Sequence, residues 1–432
     1  MKVNRKQAPP IHLAKEIRFP IAEQVTLTNG IKLLNINEGD VDVCRMDIIF
    51  NAGSRYQQKK LQATGSLSLI TEGTSKHTSQ QISEHFDYLG SFVNTSTDKD
   101  FARITASSLN RFFPQTLQML EEILKNPEYP RKEVDIWGER NKQQLTVEME
   151  KTSTLARIAF FGNVFGKNHP YGMFAIPSDY DAISHEYLKS FHSSQIGSAN
   201  TTIVLSGKVT PWHTDIISNY LGSAAWGGTS RNTHENIESG KSLLGQHFVE
   251  KPNAIQSAIR VGGKLFPRSH PDYPEMTVIN TILGGYFGSR LMKNIREDKG
   301  YTYGVGSYVG TFRDSGFFII ATDVGTDYTE KTLEEIRNEM ERLRKEPVSK
   351  EEIVHVQRYL SGDILRSFNG PFAIADNIIS LLNFNNLDYD FYQRVLDAIR
   401  NITPERIMEL SNKWLSPEKM VECVAGSKSP FR

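Results

Sequence analysis

Hydrophobic and polar positions repeat along this chain in two similar series, each predicting a strand followed by two helices. In the first half, alternation predicts the strand and helical periodicity predicts the helices, at 101–109, 113–124 and 132–151. In the second half, an apolar run and two helical stretches follow in the same order, at 317–322, 329–343 and 350–365. A proline separates the two helices of each series, Pro130 in the first and Pro347 in the second. The pattern indicates an internal duplication.

Both copies also end alike, in an apolar strand followed by glycine, at 202–207 and at 420–426. Strands come in hairpins ahead of paired helices, which favours an α+β fold of two duplicated domains, each a largely antiparallel sheet packed with helices. We expect an arm, a first domain, a linker rich in Gly, Ser, Thr and Asn, and a second domain, at 1–20, 21–221, 222–245 and 246–432.

The composition narrows the possible functions. Lys plus Arg and Asp plus Glu each number 50, so the net charge is zero, and no basic run marks a nucleic-acid interface. No run of about eighteen apolar residues predicts a membrane span, and no signal peptide is visible, so we expect a cytoplasmic protein. The two cysteines, Cys44 and Cys423, stand in short apolar runs and are predicted to be free, buried thiols.

The segment 283–306 contains the most informative combination of residues. A glycine pair at 284–285 predicts a hairpin, apolar residues then recur at helical spacing, and after Gly300 an alternation predicts a strand from 301 onward. Arg296 lies near the helix end and Tyr303 early in the strand, so one short turn can bring a guanidinium and a phenol onto one wall. Both groups can donate hydrogen bonds to a peptide carbonyl. The alternative is a packed tyrosine and a solvated arginine.

Several short motifs, in order, resemble those of the insulinase-type zinc peptidases, the inverted-motif group that includes pitrilysin and the mitochondrial processing peptidase. Besides 283–306, the motifs stand at 50–55, 169–172, 256–260, 270–273 and 280–285. No single string is specific, but their order and spacing together cover about residues 20–427. The resemblance implies two halves related by a pseudo-twofold axis. It also implies a chamber that a second polypeptide completes.

The resemblance also shows which catalytic groups are missing. Active members carry His-x-x-Glu-His about a dozen residues before a Gly-Thr pair, which corresponds to 73–74 here. That register places Thr64, Leu67 and Ser68 at the positions of the two histidines and the glutamate. The third ligand, a glutamate, falls near Leu145 or Thr146, with two further glutamates within a turn. Zinc requires imidazole, thiolate or carboxylate donors, so we expect neither a metal site nor a catalytic residue in this chain.

Two other stretches come close to a zinc motif. Residues 81–85 lack the first histidine of the inverted motif, and we interpret Glu84 and His85 as part of a solvated helix face. His185 begins a forward motif that would need histidine at 189, where Lys189 stands. A lysine ammonium repels zinc, so neither stretch predicts a metal centre.

We therefore expect a non-catalytic subunit of a heterodimeric insulinase-type peptidase. Zinc would be bound by a homologous partner chain, or the chain would pair with itself, and Arg296 and Tyr303 would bind the peptide substrate across the chamber. Two alternatives remain open. One is a purely structural or binding homologue without a peptidase role. The other is an active metallopeptidase that uses atypical ligands such as Glu84 and His85.

Overall fold

The computed structural model describes residues 19–229 and 240–431, and they form two sheets with associated helices. The predicted α+β fold of two duplicated halves is confirmed. Most of the predicted arm at 1–20 and the centre of the predicted linker lie outside the described residues. The linker residues beside that gap contact the first half, where the Leu243 N–H donates to the Asn163 carbonyl and Trp226 is buried. The exact domain boundaries stay predictions.

The first half contains a six-stranded sheet in the order β1-β2-β6-β3-β5-β4. Its strands are β1 Glu23–Thr26, β2 Lys32–Asn37, β3 Val43–Phe50, β4 Phe92–Thr97, β5 Ala102–Leu109 and β6 Thr201–Gly207. Neighbouring strands pair antiparallel, except that β2 and β6 run parallel. Strand β5 alternates buried and half-buried residues, as the sequence predicts for a sheet with one face in the core.

The second half repeats this arrangement with five strands in the order β7-β11-β8-β10-β9. They are β7 Gly245–Glu250, β8 Gln256–Leu265, β9 Val305–Thr311, β10 Gly316–Gly325 and β11 Val421–Gly426. Here β7 and β11 form the parallel pair. The last strand of each half, β6 or β11, therefore takes an equivalent place in its sheet.

The α-helices of the described residues follow the predicted order. They are α1 Gln62–Ser68, α2 Ser79–Leu89, α3 Phe113–Lys125, α4 Arg131–Glu148, α5 Thr152–Phe165, α6 His185–Gln195, α7 Pro211–Ile217, α8 Tyr273–Asn280, α9 Thr329–Lys345, α10 Lys350–Ser367, α11 Pro371–Asn385, α12 Phe391–Asn401 and α13 Pro404–Trp414. Two π-helical segments, Thr281–Gly285 and Met292–Asp298, complete the second half. Among the described helices none is long and apolar enough to cross a bilayer.

Each half contributes one helix that packs on the sheet of the other half, an arrangement called the helix exchange below. Helix α5 of the first half packs on β8 and β11 of the second, where Phe160 and Val164 join Val421 and Cys423 in one apolar cluster. Helix α11 of the second half packs on β2 and β6 of the first. The central strands bury residues on both faces, so each sheet needs a cover on the side that its own helices leave open. The exchange supplies that cover.

Both cysteines are free and buried, as predicted. Cys44 lies in β3 and Cys423 in β11. Burial raises the pKa of the Cys44 thiol to about 12 and that of the Cys423 thiol to about 11. Both groups therefore remain protonated at neutral pH and act as small apolar side chains.

Candidate functional site

Arg296 lies in the last turn of the π-helical segment Met292–Asp298. Leu291 and Ile295 are buried in the core of the second half, which fixes the inner face of this segment as the apolar spacing predicts. The guanidinium carbon of Arg296 lies 4.9 Å from the ring centroid of Phe287, itself 64% exposed. Within the described part of the chain, Arg296 has no hydrogen-bond or ion-pair partner. Stacking on a ring leaves its N–H groups available to an external acceptor.

Tyr303 does not lie in a strand. The prediction of a strand from residue 301 is wrong, because β9 begins only at Val305. The Thr302 hydroxyl donates to the Asp323 carbonyl at 2.8 Å, and the Thr322 hydroxyl donates to the Gly304 carbonyl at 2.9 Å. These side-chain bonds replace the backbone pairs that would extend β9 along β10.

The loop is held on both sides of Tyr303, while Tyr303 itself is 95% exposed. Tyr301, two residues earlier, stacks on Tyr328 with ring centroids 4.8 Å apart. A packed Tyr303 is thus excluded. The Tyr303 phenol has no hydrogen-bond partner in the part of the chain that the structure describes. It lies in the loop that follows the π-helical segment of Arg296.

The predicted glycine hairpin at 284–285 is also wrong. Both glycines end the π-helical segment Thr281–Gly285. A Cβ at Gly284 would lie 2.6 Å from the backbone nitrogen of Ser307, so this glycine is needed for the close approach of the segment to β9.

Helix α1 carries the three positions where the metal motif is missing. Leu67 is buried in the core of the first half, Ser68 is half-buried, and Thr64 is exposed. The Ser66 hydroxyl donates to the Leu188 carbonyl at 2.7 Å and ties α1 to α6. A hydroxyl and a buried leucine offer zinc no suitable donors.

The third ligand position is equally unsuited to a metal. Leu145 and Thr146 lie near the end of α4, where the Thr146 hydroxyl donates to the Lys142 carbonyl at 2.8 Å. Across residues 19–229 and 240–431, no group of three or more His, Cys, Asp or Glu side chains is placed to hold a metal ion. The residues present do not fit the zinc site that the resemblance implies for active members.

The near-miss motifs do not converge on a common point. On α2, His85 Nε2 lies 3.3 Å from the Gln115 carbonyl, and Glu84 accepts from Gln80 at 2.7 Å. His185 Nδ1 lies 2.9 Å from the Tyr129 carbonyl. Each side chain is engaged locally.

Sequence reasoning missed a buried ionic network that joins the two halves. The Asp100 carboxylate accepts from Arg55 Nη1 at 2.8 Å, from the Tyr171 hydroxyl at 2.8 Å, and from the Arg313 N–H at 2.9 Å. Arg55 Nη1 also lies 2.6 Å from Asp314 Oδ2 in the second half. The side chains of Arg55 and Asp100 are each only 2% exposed. Burial, followed by the charge of Asp100, raises the pKa of Tyr171.

Two of the sequence motifs contained a signal for this network. The motif at 50–55 ends in Arg55, and the motif at 169–172 includes Tyr171. Their role in the structure is to fasten the halves together. Nothing in the sequence indicates that Asp314, far along the chain, would meet them.

Comparison with known proteins identifies the family. Residues 33–164 match the family model described as insulinase (peptidase family M16), and residues 182–360 match the one described as the peptidase M16 inactive domain. The chain belongs to the insulinase family, M16. It resembles an uncharacterized zinc protease of Rickettsia felis, with 24% identity over 398 residues, covering 90% of this chain and 94% of the relative. The uncharacterized zinc protease YmxG of Bacillus subtilis is 21% identical over 388 residues, covering 85% of this chain and 93% of the relative.

Several solved structures share the fold. The peptidase M16 inactive domain from Pseudomonas fluorescens gives a TM-score of 0.84 at 22% identity, covering 94% of this chain and 98% of that one. A protease from Helicobacter pylori gives 0.85 at 15% identity, covering 94% and 100%. A chain of complex III2 from Candida albicans gives 0.74 at 15% identity, covering 95% and 97%. Chains that share this fold thus include one described as a protease and one from a larger complex.

Proposed function

We propose that this chain is a non-catalytic subunit of an insulinase-type peptidase, in which Arg296 and Tyr303 bind the backbone of a peptide substrate. The proposal rests on two observations. Arg296 and Tyr303 are hydrogen-bond donors without partners among residues 19–229 and 240–431, and helix α1 lacks metal ligands. Arg296 is stacked on an exposed ring, and Tyr303 is 95% exposed. A cation and an aromatic side chain held this way are typical of recognition surfaces.

The neighbouring strand offers a way to hold an extended peptide. Strand β9 forms the edge of the second sheet and directly follows the loop that carries Tyr303. An edge strand presents backbone N–H and C=O groups along one side, to which a peptide can add as a further strand. The guanidinium of Arg296 and the phenol of Tyr303 would then donate to carbonyl groups near the end of that strand.

The proposal includes a zinc-bearing partner, a homologue of this chain, that supplies the catalytic centre. The relatives' description as zinc proteases supports a peptidase context, and Thr64, Leu67 and Ser68 require that the metal be held elsewhere. A dimer of two copies of this chain would also lack the zinc ligands of active members. A purely structural role is the alternative, and the chain of complex III2 with the same fold favours it.

The experiment co-expresses this chain with the zinc-bearing homologue from the same source and compares Tyr303→Phe with Tyr88→Phe. Tyr88 lies on α2 in the first half and is 86% exposed, so its substitution controls for the loss of a surface hydroxyl. Tyr303→Phe should lower kcat/KM by about threefold to tenfold for an ordinary hydrogen bond, and by about a hundredfold for a donor used mainly in the transition state. Tyr88→Phe should leave it unchanged.

Arg296→Ala should also lower kcat/KM while the zinc content and the assembly remain intact. Cleavage at the wild-type rate in both variants, in a correctly assembled complex, would favour the structural role. About one zinc per isolated chain, lost on changing Glu84 and His85, would favour the atypical metallopeptidase instead.

A further inference from the structure

The chain contains two Asn-Gly pairs, at 29–30 and at 369–370. In such a pair the backbone nitrogen of the glycine can reach the side-chain carbonyl carbon of the asparagine, and no Cβ obstructs the approach. The two glycines have almost the same backbone angle, with φ of 89° at Gly30 and 90° at Gly370. The pairs therefore differ mainly in what the fold places around them.

The first pair is held by hydrogen bonds at both of its reacting groups. The Gly30 N–H donates to the Leu27 carbonyl at 2.9 Å. The Asn29 amide nitrogen donates to the Leu221 carbonyl at 2.7 Å, and its amide oxygen accepts the Ile31 N–H at 3.3 Å. A ring between side chain and backbone can close at this pair only after these bonds break.

The second pair lies in the short connection between α10 and α11, where neither group is held. Asn369 is exposed, and its side-chain amide has no hydrogen-bond partner among residues 19–229 and 240–431. The Gly370 N–H has no acceptor among them either, while the Asn369 N–H donates to the Arg366 carbonyl at 3.2 Å. A Cβ built on Gly370 would meet no atom within 4 Å, so the connection leaves open space for ring closure.

We propose that Asn369 is a site of spontaneous deamidation, with the Gly370 nitrogen as the nucleophile and water as the other reactant. The nitrogen loses its proton and attacks the side-chain carbonyl carbon of Asn369, the bond from that carbon to the amide nitrogen breaks, and ammonia leaves. One water molecule then opens the resulting succinimide ring. Opening at the former side-chain carbonyl gives aspartate, and opening at the main-chain carbonyl gives isoaspartate, in which the chain continues through Cβ.

Either product places a carboxylate at the start of α11. Gly370 is the N-cap of this helix, and its carbonyl accepts the Ile374 N–H at 3.1 Å. A negative charge is favourable there, because the N-terminal end of a helix carries a partial positive charge. In the first turn of α11, the Phe372 carbonyl accepts from Arg45 of β3 at 3.0 Å. The reaction therefore adds a negative charge beside the helix exchange, and because it needs no enzyme, the modified fraction grows with the age of the molecule.

The test incubates the native protein in mildly alkaline buffer and follows both pairs by tryptic peptide mapping with mass spectrometry. Trypsin places the two pairs in separate peptides, 19–32 and 367–394. Exchange of the amide for an acid raises the peptide mass, and isoaspartate elutes apart from aspartate. Asn369 should convert at least about tenfold faster than Asn29, since each bond that holds the first pair slows ring closure by about twofold to tenfold.

The same two peptides, incubated after digestion, form the matched control. Both contain an Asn-Gly pair without tertiary contacts, so Asn29 and Asn369 should convert at similar rates there. Conversion of Asn369 in the native protein no faster than that of Asn29 would overturn the proposal. A difference of the same size between the free peptides would contradict it as well, because the cause would then lie in the local sequence and not in the fold.

A second measurement follows the charge of the intact protein by anion exchange. On incubation the wild type should give rise to a more acidic species, and freshly purified Asn369→Asp should elute with it. Asn369→Gln should not produce this species, because the longer side chain would have to close a less favourable six-membered ring. Because Asn369 is exposed, both substitutions leave the core unchanged. Formation of the acidic species by Asn369→Gln at the wild-type rate would place the modification elsewhere and refute the proposal.

Discussion

Removal of the Asp100 carboxylate is the most direct test of how the two halves are held together. Asp100→Ala removes one carboxylate partner of the Arg55 guanidinium, which is 2% exposed. It also removes the acceptor of the Tyr171 hydroxyl and of the Arg313 backbone N–H. Breaking a buried ion pair by removing one partner typically costs about 3–5 kcal/mol. We expect a loss of this size in the free energy of unfolding.

The matched control is Asp42→Ala. Asp42 pairs with Lys208 on the surface, where the two side chains are 75% and 47% exposed. Surface pairs of this kind contribute about 0–1 kcal/mol, so this variant should unfold close to the wild type. Both variants make the same chemical change, and the difference between them isolates the effect of burial.

The assay is urea unfolding followed by circular dichroism and by tryptophan fluorescence. Because the network joins the halves, Asp100→Ala should also separate the two signals into distinct transitions, whereas the wild type should unfold in one. The double variant Arg55→Met with Asp100→Ala should recover part of the loss, since it removes the buried guanidinium and leaves only the Asp314 carboxylate, which is 17% exposed, without Arg55. A midpoint for Asp100→Ala no lower than that of Asp42→Ala would refute the reasoning.

Three further outcomes are expected. Cys44 and Cys423 should not react with a thiol reagent at pH 8 in the native protein, because burial raises their pKa values to about 12 and about 11; rapid native labelling of either one would contradict this. A protease should cut first within the predicted linker at 222–245, and the two fragments should elute together in gel filtration because α5 and α11 each cover the other half's sheet; separate elution would show that the exchange contributes little. His192 should stay neutral down to about pH 5, since burial lowers its pKa from 6.5 to about 4 while its Nε2 lies 3.0 Å from the Leu124 carbonyl. The unfolded chain binds this proton at higher pH than the native chain, so stability should rise with pH between about 4 and 6.5, and His192→Gln should flatten that rise in a pH series of unfolding midpoints.

Much of the fold could be predicted because its signals are local. Alternation marked β5, and helical spacing marked α3, α9 and α10. When one face of an element is buried, the geometry of that element sets the period of its apolar residues. The missing ligands at Thr64, Leu67 and Ser68 could also be read directly, because zinc coordination depends on residue type. The prediction of a strand from residue 301 was wrong for a reason that apolar periodicity does not reveal. The hydroxyl groups of Thr302 and Thr322 donate to the carbonyls that would otherwise pair in an extended β9.

The sequence by itself determined the duplication, the order of the elements, the family and the absence of metal ligands, all of which depend on residue type and spacing. Only the tertiary structure decided that α5 and α11 each cover the sheet of the other half, and that Arg55 and Asp100 meet Asp314 in a buried network. These features join residues far apart in the chain. An apolar face shows that a helix must be covered, but which surface covers it depends on how the whole chain packs.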